Sequence, residues 1–166
     1  FRLHGGLTVQ AMVTLWPLEP ATSDAAFEGE GAFVEEFKLH YAGEDFSLYA
    51  GKFDPAFGSA FDLTPGIYSV EIGQTYQAVE KIGVGGDVNL AGQLGLDGEH
   101  VLSAAVFTSD RTALSGSIGT ERPRLRLADG GPANTQGLQS FAISLDGALP
   151  SGVGYSVGYS DFAAGL

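Results

Sequence analysis

A chain of 166 residues with 20 Asp and Glu against 8 Lys and Arg carries a net charge of -12, which excludes wholesale binding to nucleic-acid phosphates. It has no Cys, so disulfide staples and thiol chemistry are excluded as well. Its 25 Gly, many aromatics and low charged fraction of 17% suit β-structure better than helix, and no apolar run approaches the ~18–20 residues of a membrane-spanning helix. The chain starts at Phe1 with no initiator Met and no basic-then-apolar leader, so residues 1–166 are expected to be a fragment of a longer protein.

Leu7, Val9, Ala11, Val13 and Leu15 alternate with Thr8, Gln10, Met12 and Thr14, the period-two pattern of a strand. Pro17 and Pro20 end it, and small and acidic residues run to Gly31. Phe33, Phe37, Leu39 and Tyr41 form the next apolar parity against Val34, Glu36, Lys38 and His40, with Glu35 intruding on the apolar side. A tight turn at Ala42–Asp45 leads into a strand over Phe46–Phe53. Pro55 removes a backbone donor, so pairing should stop there and a long loop run to Ala78. Ile82, Val84, Gly86, Val88 and Leu90 then alternate with Lys81, Gly83, Gly85, Asp87 and Asn89. A Gly-rich turn covers Gly92–Gly98, and His100–Ser109 is a strand in which both parities are mixed. A further long connection, Asp110 to Gly137, precedes Phe141, Ile143 and Leu145, which oppose Ser140, Ala142, Ser144 and Asp146. After a turn at Gly147–Gly152, Val153, Tyr155, Val157 and Tyr159 oppose Gly154, Ser156, Gly158 and Ser160.

These seven strands are joined by connections that run long, short, long, short, long, short. In an antiparallel meander alternate connections lie at opposite ends, so the long loops should emerge together on one side. Outer-membrane barrels have this anatomy, and a closed barrel is the one β-form that satisfies its backbone within lipid. The predicted fold is all-β, an antiparallel up-and-down meander of about seven strands. It would be part of a transmembrane β-barrel that these strands alone do not close, since single-chain barrels begin at about eight. A polar parity of Gly, Ser, Thr, Asn and charged residues suits a watery lumen. An apolar parity with aromatics near its ends, at Phe33, Tyr41 and Tyr159, suits lipid. The alternative is a soluble secreted β-domain that binds glycans or acts in adhesion. A further one is a barrel that anchors the envelope without conducting.

The run Leu48-Tyr-Ala-Gly-Lys-Phe-Asp-Pro-Ala-Phe-Gly58 resembles the strand-to-loop signature of phosphate-selective-type porins, and more closely that of their porin-like relatives in alphaproteobacteria. Pro65-Gly-Ile-Tyr68, Glu80-Lys-Ile-Gly83, and Leu127-Ala-Asp-Gly-Gly131 through Asn134-Thr135 to Leu138-Gln-Ser-Phe141 follow in matching order. The resemblance implies a porin of the Gram-negative bacterial outer membrane, trimeric or monomeric, of about sixteen strands in full, a size within the range of such barrels. Its partners would be outer-membrane lipid, lipopolysaccharide and the small solutes or ions it passes. Phosphate-selective members tend to carry a base before the first Pro of the signature; here Asp54 stands there, and only three Lys occur, so no lysine ladder for phosphate carries over.

No enzyme is legible. His4, His40 and His100 lack metal-ligand spacing, and no cofactor motif or Gly-x-Ser-x-Gly elbow occurs. Glu35 and Glu36 are adjacent, so on a regular strand they point to opposite faces and cannot act as an acid–base pair. The expected activity is passive diffusion through a water-filled lumen lined by Glu36, Lys38, His40, Lys81, Asp87 and Asn89. Lys52 and Lys81 flank the Asp54–Ala78 loop, the natural candidate to fold inward and narrow the lumen. Arg111, Arg122, Arg124 and Arg126 cluster in the last long connection, and the alternation of the latter three would project them the same way if extended. Together with Lys52 they would attract anions at the pore mouth, and with Lys81 at the other foot of the loop they predict weak anion preference despite the net charge.

Overall fold

In the computed structural model, residues 5–57 and 77–165 are described. Their strands are β1 (Leu7–Pro17), β2 (Glu30–Ala42), β3 (Phe46–Phe53), β4 (Lys81–Asn89), β5 (Glu99–Ser109), β6 (Ser117–Gly119), β7 (Gly131–Pro132), β8 (Ser140–Ala148), β9 (Gly154–Asp161) and β10 (Ala164–Gly165). The seven long ones form one antiparallel sheet in chain order, β1-β2-β3-β4-β5-β8-β9. Long connections at 18–29, 54–80 and 110–139 leave one end of the sheet, and 43–45, 90–98 and 149–153 leave the other. The expected open meander is therefore present, with β1 and β9 as its edges.

Residues opposed across neighbouring strands share a face, so the registers trace both faces. One row crosses all seven strands as Leu7, Tyr41, Leu48, Gly86, Ala104, Ile143 and Tyr159. The next row, on the other face, is Thr8, His40, Tyr49, Gly85, Ala105, Ala142 and Ser160. The first face is open to its surroundings: Leu48 is 54% exposed, Ile143 40% and Tyr159 61%. The second is covered, with Ala105 at 6% and Ala142 at 3%. Through its middle the sheet thus turns its large apolar side chains outward and mostly small and polar ones inward.

The inward face is closed at the long-loop end by an aromatic cluster. Phe53, Phe107, Ala105, Ala133 and Ala142 are buried there, with Tyr49, Phe57 and Phe162 packed against them. Tyr49 meets Phe53 edge-on at 4.7 Å, and Phe162 meets Phe107 at 5.7 Å. The Tyr49 ring lies across Gly85, where any Cβ would strike it at about 2.5 Å, so this glycine makes room for the ring.

Three local expectations are corrected. The Gly-rich turn begins with a short helix, α1 (Leu90–Leu94). Asn89 Oδ1 accepts the Ala91 N–H at its start, and Gly95 takes the left-handed conformation at its end, the cap pattern that Asn and Gly favour. The upper part of β2 changes parity. Met12 opposes Glu36 while Val13 opposes Val34, so Glu35 is an extra bulged residue and Phe33 lies opposite Thr14, on the inward face. The intruding Glu35 was the sign of this bulge. Finally, the long connection 110–139 carries short elements of its own. After a 3₁₀ turn at Ala113–Ser115, β6 pairs with Gly31–Phe33 of β2, and farther on β7 pairs with β10. The connection therefore reaches from β5 back to β2, past the ends of β4 and β3.

Candidate functional site

The inward face and its loop-end rim hold most of the residues expected to line a lumen. On β2, Glu36 and Lys38 form an ion pair of 3.0 Å, with Lys38 Nζ 5.6 Å from the centre of the Tyr49 ring. His40 stands between Thr8 and Tyr49 in register, and the Thr8 hydroxyl donates to its carbonyl at 3.3 Å. Asp87 accepts a hydrogen bond of 2.7 Å from the Ser47 hydroxyl. Lys81 opens β4 within the field of Asp54 and Glu80. Asn89 is spent on the α1 cap at the short-turn end. Asp146, not expected as a lining residue, shares this face through the Ser144 parity and accepts 2.8 Å from the Ser144 hydroxyl. Its place in the alternation of residues 140–146 was the available signal.

At the long-loop end the basic residues behave differently from expectation. Lys52 is fully buried. Its ammonium meets Glu80 Oε2 at 2.7 Å, Asp110 Oδ2 at 3.0 Å and the Leu114 carbonyl at 2.9 Å. The Asp110 contact is ionic, out of line for a hydrogen bond, and the other oxygen of Asp110 accepts from Thr112 N–H and hydroxyl at 2.8 and 2.7 Å. Arg122 forks onto Glu80 through two bonds of 2.8 Å and lies 4.1 Å over the Phe33 ring. The bulge at Glu35 is what delivers Phe33 to this face.

Glu80 is thus the hub of the network. Desolvation pushes its carboxyl upward, but Arg122 and Lys52 outweigh that and hold it below its ordinary 4.5. Asp54, whose carboxylate accepts the Glu80 N–H at 2.6 Å, is shifted the other way. Loss of hydration raises it first, and the charges of Glu36, Glu80 and Glu35 add to that. Glu35 and Glu36 therefore both act on this carboxyl through space.

The expected arginine row is not formed. Arg122 faces Glu80, Arg124 Nε donates to the Arg111 carbonyl at 2.8 Å, and the Arg126 backbone N–H is held by Asp129 at 2.7 Å as a 3₁₀ turn begins. Arg111 Nη2 donates to the Thr135 carbonyl at 2.7 Å. Lys52, with two carboxylates on its ammonium, is likewise no free anion attractor. Any inward fold of the Asp54–Ala78 loop falls largely on residues 58–76, outside the described residues, as do Pro65–Tyr68 of the resemblance. Among the described residues no three His, Asp or Glu are arranged to hold a metal ion.

No known protein family, curated protein or solved structure matches this chain. Its function is read from its own geometry.

Proposed function

We propose that the chain is part of an outer-membrane barrel porin, through which small polar and charged solutes diffuse passively. The observation that carries this reading is the sorting of the two faces. Away from the aromatic cluster at the long-loop end, large apolar side chains of the long strands point outward and stay exposed, while hydroxyls, carboxylates, glycines and paired charges share the inward face. In water such a broad apolar face is a liability, because soluble monomers rarely expose contiguous patches beyond a few hundred Å². In lipid it is the natural surface. Between Val84, Val106, Phe141 and Ile143 the small Ala104 leaves a shallow apolar groove of about 340 Å³, suited to an acyl chain.

The sheet is a continuous antiparallel ladder from β1 to β9. Lipid offers no hydrogen bonds, so the edges of β1 and β9 need further strands beside them to close the barrel. Those strands would come from more of the polypeptide or from another copy. The long connections would form the outer rim, with the Glu80 network and β6 bracing it, and the inward polar face would hold the water column.

The test is cell fractionation followed by reconstitution. The protein should enter the outer-membrane fraction, keep its fold in detergent, and give stepwise conductance in a planar bilayer. A freely soluble monomer without conductance would defeat the reading and favour a secreted β-domain.

A further inference from the structure

Most bases of the inward face and rim are already matched by carboxylates or carbonyls, and Lys81, at the start of β4, stands in the field of Asp54 and Glu80. Lys38 is held by Glu36, Lys52 by Glu80 and Asp110, and Arg122 by Glu80. Arg111 and Arg124 point guanidinium nitrogens at backbone carbonyls of their own connection. An anion in the lumen would have to compete with these partners.

The carboxylates of the short-turn half are matched differently. Asp87 and Asp146 each receive a serine hydroxyl, a neutral donor that leaves the negative charge in place. The register row through Asp87 reads Ser47, Asp87, Ser103, Ser144 and Gly158, and Asp146 follows two residues along the same parity of β8. No Lys or Arg occurs on the described strands at that end; the other titratable groups on its inward parity are His40, Tyr49 and Glu99.

Screening limits exposed charges to a reach of about 8 Å at physiological ionic strength, so lining charges rather than the net charge decide which ion enters. Within low-dielectric walls their field is focused along the lumen.

We infer that the pore passes small hydrated cations in preference to anions, with Asp87 and Asp146 as the selectivity-determining residues of its short-turn half. This rests on the pore reading above and reverses the anion preference expected from Lys52, Lys81 and the arginines.

The test is the reversal potential of the native protein in a planar bilayer under a potassium chloride gradient, beside D87N/D146N and an Asp24→Asn control in the exposed 18–29 connection. The expected potassium-over-chloride permeability ratio is above unity. It should drop about two-fold or more in D87N/D146N, as fixed lining charges predict, and stay unchanged in the control. If the double variant does not insert, the single variants are read, each expected to move the ratio part of the way. An anion-preferring native pore, or a cation preference unmoved by the Asn variants while conductance steps persist, overturns the inference and leaves the pore reading standing. A native protein that gives no conductance steps overturns both.

Discussion

The two ends of the sheet are built on different principles. The short-turn end closes through local chemistry: a three-residue link between β2 and β3, a helix capped by Asn89 and Gly95, and a turn at 149–153. Its long-range side-chain contacts are single pairs, His100 Nδ1 with the Tyr155 hydroxyl at 2.6 Å and the Ser47 hydroxyl with Asp87 at 2.7 Å. The long-loop end closes through distant partners. Lys52 meets Asp110, Arg122 meets Glu80, and β6 pairs with β2 across more than 80 residues of chain. Here burial no longer follows parity: Lys52 and Phe53 are both buried, as are Phe107, Thr108 and Ser109. The Thr108 hydroxyl lies 2.9 Å from the Ala133 and Thr135 carbonyls, within reach of both. The apolar outward face therefore stops below this level, where the last long connection wraps the strand ends. An end held by distant ion pairs should fail as a unit, whereas an end held by local caps should fail piecemeal.

The sharpest way to break this contrast is Lys52→Met. The change leaves Asp110, itself 2% exposed, as an uncompensated buried charge beside Glu80. Removing one partner of a buried pair costs about 3–5 kcal/mol. The expected result is early proteolytic cleavage within 110–137 while the short-turn end stays protected. K52M/D110N, which removes both charges of the pair, should recover much of the loss. Equal protease resistance in Lys52→Met and the native protein would show that the network does not brace this end.

This contrast also marks what the sequence made legible. Alternation at Leu7–Leu15, Ile82–Leu90 and Phe141–Leu145 reported strands, because period two is a local property of a half-buried sheet. The bracketing of Phe46–Phe53 by a tight turn and Pro55 placed β3 to the residue. The partners at the loop end had no such local mark. Nothing around Lys52 signals that Asp110 and Glu80 will meet it, and nothing in the alternating Arg122–Arg126 run signals that Arg122 will go to Glu80 and Arg124 to the Arg111 carbonyl. Glu35 was the exception, a misplaced charge that signalled a bulge. The mixed parity of His100–Ser109 was a second: its end is mixed because both sides are enclosed.

A smaller effect should come from acid. Glu80 is held below 4.5 in the folded protein, so the unfolded chain takes up its proton at higher pH. Its stabilisation is fully present above about pH 4.5 and is lost as pH falls through the lowered folded value. Asp54 acts in the opposite sense, because its raised carboxyl costs stability when ionised and is relieved by protonation. Amide exchange of Ser117–Gly119 should therefore quicken only once pH drops below the ordinary carboxylate range, while amides of Gly154–Asp161 hold. In Glu80→Gln the same amides should exchange faster at neutral pH and lose most of that acid step. An acid step of equal size in Glu80→Gln would assign it to another carboxylate.

The smallest effect belongs to the short-turn end, and it tests whether that end is as local as it looks. Asn89 Oδ1 takes the Ala91 N–H at 3.0 Å, while the Asn89 backbone N–H reaches the Asp45 carbonyl across the neighbouring turn at 2.8 Å. Asn89→Ala deletes the first contact and keeps the second. Loss of an N-cap side chain costs about 1 kcal/mol, and α1 buries none of its residues that could spread the damage inward. The expected outcome is faster amide exchange confined to Leu90–Leu96, with no change in protease resistance of 110–137 and no change in ion preference, because Asp87 keeps its bond to Ser47. If Asn89→Ala instead loosens the Glu80 network or shifts the permeability ratio, the two ends are coupled through β4, and the division between a locally built end and a distantly built one is wrong.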